Sequence, residues 1–151
     1  MGYIRLMADT SGATKTLYDT DFAEWSDRTA ELLRTGRFSE LDIANLAEEV
    51  EDLGRSVRSA VRSQLQRLMM HKIKQQLQPE RDGTSWQASM DGARAKILDE
   101  MTDAPSLKGH LRENMERVYR LAVAQALRET GKSGKGLSAK CPWRLDSLLE
   151  G

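Results

Sequence analysis

Along residues 41–78 the apolar positions recur every three or four residues, the period of one face of an α-helix. Ile43, Leu46, Val50, Leu53, Val57 and Ala60 form a stripe. Val61, Leu65, Leu68, Met69 and Ile73 continue it, displaced a little around the axis as the repeat of a straight helix requires. Asp42 is placed to cap the start, where its carboxylate can accept from unpaired first-turn amides. Pro79 ends the run, because the residue before a proline is pushed out of the α region. The pattern predicts one long central helix over about 42–78, roughly 50 Å in length. No small globule covers such an element along its whole length, so other helices or a second subunit should lie along it. Gly54 inside a helix costs about 1 kcal/mol relative to Ala. The stripe nevertheless passes through Gly54 in phase, so a continuous helix is expected, with room for a kink.

The rest of the chain reads as shorter helices. Phe22, Trp25, Thr29, Leu32 and Leu33 share a face over about 21–35, with Asp21 and Glu24 spaced like a capping box and Gly36 at the close. Phe38 is expected to pin the turn into the long helix. After Pro79, Thr84 or Ser85 should cap a helix carrying Trp86, Met90, Ala93, Ile97 and Met101. Pro105 ends that helix, and Ser106 should cap the next, whose stripe is Leu107, Leu111, Met115, Val118, Ala122 and Ala126 and whose end is Gly131. Residues 132–140 form a basic Gly/Ser linker without the glycine spacing or preceding strand of a phosphate loop. Trp143, Leu145, Leu148 and Leu149 predict a short C-terminal helix. The expected fold is all-α: a helical bundle organised around the long central helix, with three further main helices. Residues 1–15 read as a loose N-terminal tail and 16–151 as a single helical domain.

Composition narrows the classes. Of 151 residues 30% are charged and only 5% aromatic, a mix that suits helices and argues against a β-sandwich. The single Cys141 excludes an internal disulfide and fits a reducing compartment, so a cytoplasmic location is expected. No apolar run approaches the length of a membrane span, and no membrane association is expected.

Charge is sorted along the long helix. Glu40, Asp42, Glu48, Glu49, Glu51 and Asp52 come first, without a base between them; Arg55, Arg58, Arg62, Arg67, Lys72 and Lys74 follow, without an acid. Complementarity to the helix dipole explains part of this, but each charge contributes only about 0.3–1 kcal/mol and only in the terminal turns. The sorting also makes the helix self-complementary, since two antiparallel copies would set each acidic half against the other's basic half. Gly54, Ser56, Ser59, Ala60 and Ser63 would let the backbones approach at the crossing, flanked by Asp52 and Arg67.

The segments DFAEW (21–25), GRFSELDIANLAEEVEDLGRS (36–56), LMMHKIKQQLQPE (68–80), SW (85–86), PSL (105–107) and CPW (141–143) occur in this order. Together they resemble the bacterial family catalogued as domain of unknown function 29, over about Tyr18 to Leu149. The resemblance implies a small all-α bacterial protein with no assigned activity. The chain departs from the family pattern at Lys72 and Gln75, where the family tends to carry an apolar residue and a Trp.

Three kinds of chemistry can be weighed. Glu48, Glu49 and Glu51 with His71 are the candidate catalytic set of a metal- or phosphate-dependent enzyme, because clustered carboxylates suit Mg²⁺-dependent phosphoryl chemistry and an imidazole can serve as ligand or base. His71 lies some 33 Å along the helix from Glu49, so the two could meet only across a second copy. No ligand pair has the spacing of a known helical metal site; no metal and no cofactor are predicted. Arg55, Arg58, Arg62, Arg67, Lys72 and Lys74 are the nucleic-acid candidates, since cations dominate phosphate affinity. They wrap around the helix without interleaved aromatics to stack bases, which disfavours nucleic acid as a partner. The preferred reading is a non-catalytic protein–protein interaction module, as a homodimer or with another protein.

Overall fold

The computed structural model describes residues 15–81 and 83–151; the expected N-terminal tail lies, except for Lys15, outside them. Every regular element among these residues is helical: α1 (Leu17–Thr20), α2 (Phe22–Arg34), a 3-10 turn (Phe38–Glu40), α3 (Ile43–Leu77), α4 (Thr84–Asp103), α5 (Leu107–Thr130) and α6 (Leu145–Glu150). The all-α expectation therefore holds. The long helix runs unbroken through Gly54 and begins and ends within a residue of the expected bounds. Asp42 caps it, its carboxylate accepting from the Asn45 amide at 3.3 Å and from the Asn45 side chain at 2.7 Å.

The chain divides into two compact units, the first ending at Asp52 and the second beginning at Leu53. In the first unit, Asp21 caps α2 by accepting from the Glu24 amide at 3.0 Å. Gly36, at φ +70°, ends α2 in the left-handed conformation that only glycine adopts without strain. The single-turn helix α1 is too short to leave a sequence period. It is held by Asp19, whose carboxylate accepts from the Thr16 amide and hydroxyl at 3.0 and 2.8 Å. Tyr18, Phe22 and Trp25 form one aromatic cluster, with ring centroids 4.9–5.8 Å apart. Among the described residues of this unit, Trp25, Thr29 and Leu32 are the buried ones. Phe22 and Leu33, expected on the buried face, are exposed, and so is Phe38, which therefore does not pin its turn.

The second unit contains a developed core. Val61, Leu65, Leu68, Met69 and Ile73 of α3 pack with Met90, Ala93 and Ile97 of α4 and with Leu107, Leu111, Val118, Ala122 and Ala126 of α5. On α4, on α5 and on α3 from Val61 onward the expected stripes thus supply the buried positions, each full Leu, Ile or Met side chain contributing about 1.5–3 kcal/mol. Leu145, Leu148 and Leu149 close the core from α6. Arg94, buried in α4, donates through Nε to the Leu148 carbonyl at 2.7 Å and pairs with Asp91 at 2.7 Å. Gly83, rather than Thr84 or Ser85, occupies the cap position of α4, and its carbonyl accepts from the Gln87 amide at 2.7 Å. Ser106 precedes α5 as expected but makes no side-chain cap bond. Gly131, at φ +66°, ends α5.

Candidate functional site

The acidic turns of α3 belong to the first unit. Glu49 accepts a hydrogen bond from the Tyr18 hydroxyl at 2.6 Å. That bond, then desolvation and the negative charges of Glu49, Glu48 and Asp52, push the Tyr18 phenol up to about 12. Glu49 is thus committed to a neutral phenol donor. Sequence reasoning missed Tyr18, because α1 gives no periodic signal that would bring it to the long helix. Glu48 and Glu51 are exposed. No group of three or more His, Cys, Asp or Glu side chains among the described residues could hold a metal ion.

His71 belongs to the second unit and is buried; its Nδ1 finds no hydrogen-bond partner among the described residues. Burial, followed by the positive charges of Lys74 and Arg67, holds this imidazole below its ordinary range, against the pull of Glu129. His110 is likewise held low, first by burial and then by Arg62 and Arg58. Arg62 approaches its Nε2 at 2.8 Å. A guanidinium can only donate, so Nε2 accepts and the proton sits on Nδ1.

Much of the basic half of α3 is engaged within its own unit. Lys74 is ion-paired with Glu129. Lys72 stands 6.0 Å from the centroid of the Trp143 ring, within cation–π range. Arg67 reaches Ser89 Oγ at 3.5 Å. The Arg58 guanidinium folds back over Gly54, 3.3 Å from where a β-carbon would stand. Arg58, Arg62, Arg67, Lys72 and Lys74 thus each have a contact within the second unit. Cys141 is no better placed as a nucleophile, because burial pushes its thiol up and its Sγ lies 3.6 Å from the Trp143 carbonyl.

The small residues expected at a helix crossing lie at the surface of α3. Ser56, Ser59, Ala60 and Ser63 are exposed and Gly54 half-buried; Asp52 and Arg67, expected to flank them, are exposed as well. Ala60 and Ser63 line a groove of about 330 Å³ with Gln64, Lys96, Asp99 and Glu100. Ser59, Ser63 and Arg62 line a second groove of about 180 Å³ with Arg117 and Leu121.

The feature that stands out is apolar. In the first unit Ile43 and Val50 are 60% and 59% exposed, and in the second Leu53 and Val57 are 69% and 39% exposed. These four positions belong to the same stripe that, from Val61 onward, is buried. The sequence period foretold the stripe but not the point at which it leaves the core.

No helix among the described residues is long and apolar enough to cross a membrane. Neither a curated protein nor a solved structure shows significant similarity to the chain. The family model of the domain of unknown function DUF29 matches residues 17–151. With nearly the whole chain matched, this protein belongs to the DUF29 family.

Proposed function

We propose that this chain is a non-catalytic helical interaction module whose contact surface is the apolar face of the first turns of α3. The observation that carries the reading is the exposure of Ile43, Val50, Leu53 and Val57 on one face of the helix, with Leu46 half-buried between them. Single exposed apolar residues are ordinary, but a periodic run of β-branched residues and leucine marks a surface that gains by being covered. The first unit adds Phe22, Leu33 and Phe38 to the exposed apolar residues, while Trp25 and Leu32 are its buried apolar residues among those described. Ala60 on the same stripe and Ser56 beside it are small enough to permit close helix approach.

The test is the stability of dilute Val50→Lys protein, followed by urea unfolding. A contact face is open in the free chain, so the substitution should leave the midpoint within experimental error of wild type. A loss of about 1.5 kcal/mol or more, the value of a side chain buried in its own core, would refute the reading.

A further inference from the structure

The groove between α3 and α5 is independent of the apolar face and differs from it in chemistry. Ser59, Arg62, Ser63 and Gln66 line it from α3, and Arg117 and Leu121 from α5; among the described residues no carboxylate joins the lining. All of them belong to the second unit. Five cations of that unit are withdrawn in part from solvent: Arg62, Lys72, Lys74, Arg94 and Lys108. Lys74, Arg94 and Lys108 each meet a carboxylate, that of Glu129, Asp91 and Asp146 respectively, and Lys72 stands over the Trp143 ring. Arg62 instead meets the imidazole of His110, through Nη1 alone. An imidazole that accepts from a guanidinium leaves its charge uncompensated, and Nε and Nη2 keep their donors. Arg117, exposed on the α5 side, has neither a hydrogen bond nor an ion pair among the described residues. Glu113, whose charge acts on His110, lies outside the lining.

The donors around this uncompensated charge are held in place. His110 braces one end of the Arg62 guanidinium at 2.8 Å. Gln66 donates to Gln125 at 2.9 Å, and Gln125 donates to Glu129 at 2.9 Å. The Glu129 carboxylate is already neutralised by Lys74. The hydroxyls of Ser59 and Ser63 add donors to the lining. At about 180 Å³ the groove is smaller than the roughly 300–1,000 Å³ pockets that enclose drug-sized ligands, so it suits one charged group and the few carbons beside it. Two guanidiniums call for two negative charges. A carboxylate or a phosphodiester brings one, whereas a phosphate monoester carries about −1.5 to −2 at neutral pH and three strong acceptor oxygens. Leu121, 48% exposed, offers an apolar contact to the carbon end.

We propose that this groove binds the phosphate monoester of a small organic molecule, held between the guanidiniums of Arg62 and Arg117 with Ser59 and Ser63 donating. The planar fork of arginine makes paired bonds to phosphate oxygens. His110 is a positioning residue that aims Arg62.

The test uses the full chain, isotope-labelled at its arginine nitrogens. Phenyl phosphate, inorganic phosphate, acetate and dimethyl phosphate are titrated at constant ionic strength, and the Nε–H resonances of Arg62 and Arg117 are followed by nuclear magnetic resonance. Phenyl phosphate should shift both resonances to saturation, inorganic phosphate should bind more weakly, and the two singly charged probes more weakly still. Variants are checked for wild-type helicity by circular dichroism. Arg62→Gln and Arg117→Gln should each weaken phenyl phosphate binding at least about tenfold, a difference of about 1.4 kcal/mol. Arg120→Gln, which removes an exposed cation of α5 outside the groove, should leave it unchanged. His110→Leu should weaken binding, and His110→Gln, whose amide oxygen can accept from Arg62, should restore most of it. Shifts that never saturate, or a loss in Arg120→Gln equal to that in Arg117→Gln, overturn the site. Acetate or dimethyl phosphate binding as tightly as phenyl phosphate overturns the monoester assignment, and inorganic phosphate binding as tightly overturns the organic ester in favour of the free ion.

Discussion

Leu53 and Leu65 lie on the same stripe of α3 and in the same compact unit, yet one is 69% exposed and the other fully buried. Replacing each by Ala asks the same question of two environments. At Leu65 the change removes a side chain packed within the α3–α4–α5 core and leaves a cavity, which costs about 2.7–5 kcal/mol according to how far the neighbours collapse. At Leu53 only about a third of the surface is covered. The loss is then about a third of the 1.5–3 kcal/mol that full burial of a leucine contributes, or about 0.5–1 kcal/mol. The slightly better helix propensity of Ala offsets a few tenths of that.

Urea unfolding of dilute protein, followed by far-ultraviolet circular dichroism, reads both values from the midpoint at a common slope. The expected outcome is a large downward shift for Leu65→Ala and a shift of less than about 1 kcal/mol for Leu53→Ala. A dilute Leu53→Ala protein destabilised by about 2 kcal/mol or more would refute the reasoning, because it would place Leu53 inside the fold.

Two further outcomes follow from buried polar groups. Arg94→Met keeps the aliphatic stem but removes the donor to the Leu148 carbonyl and the pair with Asp91; the cost should be about 1.5–3 kcal/mol, with amide exchange accelerated first in α6. His71 and His110 are both held below the ordinary 6.5 by burial and nearby cations. As pH falls through 6.5 the unfolded chain takes up protons before the folded one does, so their contribution is intact at pH 7.5 and declines below about 6.5. The carboxylates held low by hydrogen bonds, Asp19, Glu40, Glu129 and Asp146, act only at more acidic pH. Urea midpoints at pH 7.5 and 5.5 therefore isolate the histidines, and a combined His71→Gln/His110→Gln protein should lose the difference between them.

The fold was legible because helices announce themselves by period. The faces of α4 and α5 and the second half of α3 bury as their spacing requires, and the caps at Asp21, Asp42, Gly36 and Gly131 were visible as residue types in position. What the period could not show was depth. Ile43 and Val50 obey the same spacing as Leu65 and Ile73, and amphipathicity states only that a face is apolar, not what covers it. Nor could one dimension show Tyr18 donating to Glu49, or Arg94 reaching Leu148, since both join residues far apart in sequence. Nor could spacing along one helix show what surrounds His71: its ring is buried in the second unit, where burial holds its titration low and Glu129 of α5 is the carboxylate that acts on it.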